Sequence, residues 1–224
     1  MLLMHKTKFA KQLKNIGLYF ITDSTLTKLS VIRQVELAIE AGVKIVQYRE
    51  KNLTELNRRE IHATTAKIRE LTKKSGVLFI VNDYVDVAIK ANADGVHLGK
   101  TDLFRFGIEN VRTLMPGKII GLSTHSVEDA LEAEKLGADY IGVGPIYKTS
   151  TKKDAHPAIG IENLKEIRKN VKIPIIAIGG INRGNIVNVL KEKPDGAAII
   201  SGILCNPDIK KEMKDIIKII GKNK

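Results

Sequence analysis

Eight short apolar runs, rich in β-branched residues, alternate with stretches of helical period along the whole of this 224-residue chain. They fall at 18–22, 44–48, 77–81, 95–98, 119–122, 140–143, 175–178 and 197–200. Several are apolar on both faces, which suits a parallel sheet covered by helices better than an exposed antiparallel one. Three carry a longer signature: Ala93-Asp94-Gly95-Val96-His97-Leu98-Gly99, Ala138-Asp139-Tyr140-Ile141-Gly142-Val143-Gly144, and 194–202 with Asp195-Gly196 at its start and Ser201-Gly202 at its end. Each reads as a helix end, a turn, a buried strand and a glycine exit. A repeated βα unit leaves that trace. Eight such units predict an α/β fold of the (β/α)₈ type, a TIM barrel of eight parallel strands.

The intervening patterns support helices. Ile32, Val35, Ala38 and Ile39 share one face, with Gly42 as the stop. Ser126 followed by Asp129 has the form of a capping box, with Gly137 closing that helix. Pro207 and Asp208 open a last helix whose Ile209, Met213, Ile216 and Ile217 point inward. No linker or low-complexity stretch divides the chain. One domain is expected over 1–224, with a barrel from about 15 to 220 and an extension at 1–14.

Composition narrows the function. No apolar run approaches the roughly 18–20 residues that a membrane helix needs, and residues 1–14 carry charge without a long apolar core, so neither a membrane partner nor a secretory signal is expected. The single cysteine, Cys205, excludes an internal disulfide framework and a Cys-based zinc site. A reducing cytoplasm is the expected compartment. The net charge of +12 suits nucleic acid or small anionic substrates. Much of the excess is lysine in the amphipathic stretches 165–172 and 210–224, where charge is solvated. Five Tyr, five Phe and no Trp supply few stacking platforms, so nucleic acid is not the expected partner.

A (β/α)₈ barrel builds its site from the loops that follow the strands. Asp83 and Asp102 come just past the third and fourth runs, and carboxylates hold hard cations such as Mg²⁺. Arg49 and Lys51 follow the second run and Lys152 the sixth, and cations hold diphosphates. With a metal between them, these charges grip phosphate; without one they form a salt-bridge network. Gly179-Gly180 after the seventh run and Ser201-Gly202 after the eighth let backbone N–H groups approach a second anion. One neutral and one cationic anion site imply two small phosphorylated substrates, or one phosphorylated at both ends. A diphosphate held by a metal and three cations is a good leaving group, so group transfer with loss of pyrophosphate is the natural chemistry.

At these residues the chain resembles the thiamine phosphate synthase family. The matching stretches run in order from about residue 17 to residue 205: 47–51 (QYREK, where the family usually has QLREK), Val81-Asn82-Asp83, 93–102 (ADGVHLGKTD), 121–125, 138–152 (ADYIGVGPIYKTSTK), 177–181 (AIGGI) and Ile200-Ser201. The resemblance implies a transferase that joins hydroxymethyl-aminopyrimidine, delivered as its diphosphate, to a thiazole phosphate. It implies pyrimidine-diphosphate contacts at Gln47, Tyr48, Arg49, Glu50, Lys51, Asn82, Ser123 and Lys152, with Arg49, Lys51, Lys152 and Ser123 nearest the chemistry. Thiazole-phosphate contacts are implied at Thr149, Ser150, Thr151, Gly180, Ile200 and Ser201. One Mg²⁺ is implied on Asp83 and Asp102.

Two departures stand out. Lys100 occupies a position where the family often has Gln, and is read as solvated. Tyr48 replaces Leu and, by strand alternation, belongs to the face opposite Gln47 and Arg49, which suggests packing. His97 lies inside the fourth run and reads as structural, whereas His125 lies at the mouth beside Ser123. His5, His62 and His156 share no metal-ligand spacing. A thiazole tautomerase of the same barrel type needs no diphosphate site, and its cationic motif should have decayed. Sugar-phosphate isomerases need an acid–base pair or a His-rich metal site, and neither is evident. Oligomeric state is left open between monomer and homo-oligomer.

Overall fold

The computed structural model describes residues 12–14, 16–51, 54, 57–102, 107–151 and 156–223. Eight strands close a barrel in sequence order: β1 (Gly17–Ile21), β2 (Ile45–Tyr48), β3 (Leu78–Asn82), β4 (Gly95–Leu98), β5 (Ile119–Thr124), β6 (Tyr140–Val143), β7 (Ile175–Ile178) and β8 (Gly196–Ile199). Every neighbouring pair is parallel, including β8 with β1. The expected barrel is present, with most strand ends displaced by no more than one residue. The exception is β5, which runs on to Thr124 and takes Ser123 into the sheet.

Among the described residues the helices are α1 (Val31–Ala41), α2 (Arg58–Ser75), α3 (Val85–Lys90), α4 (Ile108–Leu114), α5 (Val127–Lys135), α6 (Gly160–Asn170), α7 (Ile186–Leu190), the single turn α8 (Ser201–Leu204) and α9 (Ile209–Lys222). Gly42 ends α1 at φ 92°, where a side chain would be strained, and the Val43 N–H reaches back to the Ala38 carbonyl. Ser126 caps α5 by accepting from Asp129 N at 3.2 Å. The return bond of the capping box lands one residue early: Asp129 accepts from His125 N at 3.0 Å. Asp208 caps α9 through Lys211 N, and Ile209, Met213 and Ile216 are buried while Ile217 is half-buried.

Strand alternation separates two cores. Outward-facing residues such as Leu18, Val46, Val81 and Leu122 pack against the helices. Inward-facing Tyr19, Ile45, Ile80, Ile119, Tyr140 and Ile176 fill the barrel's lower interior. Leu13 is fully buried there with Ile16 beneath them, so the end of the expected extension plugs the barrel rather than lying outside it. Two residues further along the same strands, at the same parity, the inward positions turn polar: Gln47 and Asn82.

The three echoed segments have a common physical basis. Asp94, Asp139 and Asp195 stand just before β4, β6 and β8. Each carboxylate accepts a backbone N–H from the first or second residue of the preceding strand: Phe79 at 2.9 Å, Ile120 at 2.8 Å and Ile175 at 2.9 Å. Each aspartate also donates its own N–H to that residue's carbonyl, at 2.8 Å in all three cases. An arginine from the helix before completes each clamp: Arg69 at 2.8 Å, Arg112 at 2.9 Å and Arg168 at 3.0 Å. Lys44, just before β2, brings no carboxylate, and its carbonyl accepts from Leu78 N at 2.9 Å. These clamps lie at the barrel end opposite the strand exits, the end that serves stability in this fold.

Candidate active site

A cavity of about 440 Å³ opens over the strand exits and is lined by residues from all eight strands or the loops that follow them. Its walls differ in chemistry.

One wall is acidic and cationic together. Asp83 ends the turn after β3 at φ 63°, a left-handed conformation that non-glycine residues seldom take and that clusters at functional sites. Its carboxylate lies 3.3 Å from Lys51 Nζ and within reach of Asp102, which donates to it when protonated. Burial, followed by the charge and hydrogen bond of Asp83, raises the Asp102 carboxyl to about 6. Arg49 is held differently. Its guanidinium meets Asp23 Oδ2 at 2.5 Å and its backbone N–H donates to Thr22 Oγ1. Asp23 is itself fixed: it accepts from Thr25 and exchanges main-chain bonds with the buried amide of Gln34.

The opposite wall is neutral. The Thr151 hydroxyl donates to Ser201 Oγ at 3.1 Å, and Thr149 donates to Thr151 at 3.3 Å. Gly179 and Gly180 turn below them at φ 98° and 65°. A Cβ on Gly180 would lie 2.7 Å from the Lys148 carbonyl, so glycine alone lets the two loops meet.

The floor is a line of hydrogen bonds inside the barrel. Gln47 Nε2 donates to Tyr19 OH at 3.0 Å, the Tyr19 and Tyr140 hydroxyls are 2.8 Å apart, and His97 bridges Tyr140 OH and Ser123 Oγ at 3.0 Å each. Burial pushes both phenols far above their ordinary range. Gly121 makes room for this floor, since a Cβ there would stand 2.2 Å from the Tyr140 ring.

The structure therefore brings Gln47, Arg49, Lys51, Asn82, Asp83, Asp102, Ser123, Thr149, Thr151, Gly180, Ile200 and Ser201 to one cavity. It sets three expected contacts apart from the lining: Tyr48, Glu50 and Ser150. Tyr48 points outward by strand parity and is buried in the helix-facing core, and Glu50 has the same parity one turn of the pleat later. Ser150 is exposed between two threonines that face inward. Lys152 lies outside the described residues. Lys100 lines the cavity, yet its amine is paired with Asp129 at 2.7 Å rather than with Asp102. His125 donates from Nδ1 to the Gly144 carbonyl and packs on His156 with ring centroids 4.0 Å apart. Burial lowers the proton affinity of His125, against the pull of that carbonyl. Asp23 and Tyr19 were missed from sequence. The polar pair Thr22-Asp23 directly after the first apolar run was the available signal for the former.

The elevated Asp102 carboxyl has a definite sign. Its pKa of about 6 in the folded protein exceeds the ordinary 3.8, so the fold binds this proton more tightly than the unfolded chain does. That contribution is complete below the ordinary value and is lost as pH rises through about 6. In metal-free buffer, the melting temperature of the parent minus that of Asp102→Asn should fall between about pH 4 and pH 6 and level off above, by linkage over that window. A difference that rises or stays flat would contradict the shift.

The fold and this mouth define a (β/α)₈-barrel enzyme built to take phosphorylated ligands. The profile of the thiamine monophosphate synthase family matches residues 18–203. A thiamine-phosphate synthase of Methanosarcina mazei is 42% identical over 217 residues, covering 96% of this chain and 88% of that protein. One from Methanospirillum hungatei is 47% identical over 195 residues, covering 86% and 92%. A solved thiamine phosphate pyrophosphorylase from Pyrococcus furiosus superposes with a TM-score of 0.85 at 40% identity, covering 94% of this chain and 98% of that one. The chain belongs to the thiamine monophosphate synthase family and is an enzyme of the transferase class. Among the described residues no helix is long and apolar enough to cross a membrane.

Proposed function

We propose that the enzyme joins hydroxymethyl-aminopyrimidine diphosphate to a thiazole phosphate, giving thiamine phosphate and pyrophosphate. The observation that carries this reading is the two-walled cavity: an acidic and cationic wall facing a neutral wall of hydroxyls and glycines. The first suits a diphosphate and the second a monophosphate. The names of the relatives point the same way.

Asp83 and Asp102 fit a hard divalent ion. Their donors are all oxygen, and a cation between the two carboxylates would relieve the repulsion that, after burial, raises the proton affinity of Asp102. No group of three or more His, Cys, Asp or Glu among the described residues could hold a metal, so water and substrate phosphate would complete the shell. A bound Mg²⁺ would supply neutralisation of the charge gathering on the departing pyrophosphate. Arg49, locked by Asp23, presents a fixed cation to the same group, while Lys51 is free to exchange Asp83 for a phosphate oxygen. Thr149, Thr151 and Ser201 hold the thiazole phosphate so that its ring nitrogen faces the methylene carbon. That lone pair needs no base. The barrier is C–O cleavage, and positioning and electrostatics lower it. A cytoplasmic setting suits both substrates.

A continuous assay of pyrophosphate release tests this. Release should require both substrates and Mg²⁺; release at an undiminished rate without the thiazole phosphate, or none with all three, would overturn the reading. Ser201→Arg should raise the KM for thiazole phosphate by about tenfold or more while moving that for the diphosphate little, since only the neutral wall is obstructed.

A further inference from the structure

The floor of the cavity is a single line of hydrogen bonds, and its direction can be worked out. Gln47 Nε2 is a donor, so the Tyr19 oxygen accepts and the Tyr19 proton must go elsewhere. The Tyr140 hydroxyl is its partner at 2.8 Å. Tyr140, having accepted, donates to His97 Nδ1 at 3.0 Å. An imidazole that accepts at Nδ1 and stays neutral carries its proton on Nε2, which lies 3.0 Å from Ser123 Oγ. With the Gln47 amide placed as it is, the reverse direction would set the buried Tyr19 proton against the Gln47 N–H. Both phenols are kept protonated by burial, which preserves the donors that the line needs.

The line is a built feature. It is drawn from five strands, with Gln47 on β2, Tyr19 on β1, Tyr140 on β6, His97 on β4 and Ser123 on β5. Glycines occupy the positions beside two of its three rings, Tyr140 and His97. A Cβ at Gly121 would overlap Tyr140, and one at Gly142 would stand 3.1 Å from His97 Cε1.

We propose that this buried line is polarised from Gln47 to Ser123, so that Ser123 accepts from His97 and turns its own hydroxyl proton into the cavity as a donor to the ligand. Tyr19, Tyr140 and His97 are then positioning residues that act through Ser123. The ligand they serve is the pyrimidine diphosphate, whose ring nitrogens and phosphate oxygens are acceptors; that last assignment rests on the function proposed above, whereas the polarity does not.

Two measurements test it. The first is the long-range ¹H–¹⁵N spectrum of histidine-labelled protein without substrate. His97, assigned by loss of its signals in His97→Asn, should be the neutral tautomer protonated at Nε2. A proton on Nδ1, or on both nitrogens at neutral pH, would overturn the proposal whatever the enzyme's activity. The second is a double-mutant cycle on kcat/KM for the pyrimidine diphosphate. Tyr140→Phe removes the hydroxyl donor that sets the His97 tautomer and lets Ser123 donate to His97 instead of the ligand. It should lower kcat/KM by roughly ten- to a hundredfold, the worth of one hydrogen bond to a charged group, with the KM for thiazole phosphate little changed. In the Ser123→Ala background the same substitution should have little further effect. Tyr19→Phe, one link more remote, gives a second such cycle. Effects that add independently would sink the proposal, because a purely structural role does not vanish with Ser123. If the parent enzyme releases no pyrophosphate, the proposed function fails, and the tautomer measurement still decides the polarity.

Discussion

Asp83→Ala is expected to lower kcat/KM for pyrophosphate release by about 10²–10³-fold, the usual effect of losing one preorganised group that meets charge developing on a leaving group. The substitution removes half of the carboxylate pair and leaves Lys51 without its partner at 3.3 Å. Two effects must be separated, because Asp83 sits at φ 63° and alanine there is strained by about 1–2 kcal/mol. Asp83→Asn keeps a side chain that tolerates this backbone and removes only the charge. On the proposed reading it should lose activity nearly as far as alanine does. In metal-free buffer above pH 6 it should melt no lower than the parent, since the Asp83 charge that adds to burial in raising Asp102 is gone. The exposed Lys51 pair given up in exchange is worth little. Initial rates across a Mg²⁺ titration, with melting curves on the same samples, check both halves. Unchanged kcat/KM at limiting Mg²⁺ in Asp83→Asn would remove Asp83 from the reaction.

The barrel was legible because its periodicity is local. Each apolar run is written in four to six consecutive residues, and each needs only its own composition to be recognised. Parity carried further: Ile45, Gln47 and Arg49 share one side of β2 and its exit, so the sequence already separates Tyr48 from them. What escaped was pairing across the barrel. Nothing near His97 announces that its ring nitrogens meet Tyr140 and Ser123, 43 and 26 residues away. Its place inside an apolar run made it look structural, yet the closed sheet turns that position towards the cavity. Asp23 escaped for a related reason. Its importance comes from Arg49, 26 residues later, which only the β1–β2 register brings within reach. The echoed Ala-Asp or Pro-Asp signature was visible as a repeat, but its purpose was not, because each arginine partner stands 25 to 27 residues earlier in a different helix.

That signature leads to the largest expected effect on stability. Asp139→Ala should destabilise the protein by about 2–4 kcal/mol, between the loss of a charged hydrogen bond and the breaking of a buried ion pair. The Asp139 side chain is only 7% exposed, and its Oδ2 takes both the Ile120 N–H and Arg112. Without it the Ile120 amide near the start of β5 is left unsatisfied beneath the barrel. Arg112 keeps two carbonyl partners, Lys118 and Gly137, but no counter-charge. The three clamps should rank by burial. Asp195 is 15% exposed and Asp94 19%, and the Arg69 Nε beside Asp94 already lacks a partner, so Asp94→Ala should cost least. For a chain of this size the Asp139 loss corresponds to a melting temperature lower by roughly 4–16 °C. Asp139→Asn should lose less, because an amide oxygen can still accept from Ile120. Urea unfolding with unchanged m-values would show that the native state, and not the unfolded ensemble, carries the effect. The cavity lies at the opposite end of the strands, so kcat at 25 °C should be unaltered in whatever fraction is folded. Loss of turnover without loss of stability in Asp139→Ala would mean that the two ends of the barrel are not as separate as this arrangement of side chains requires.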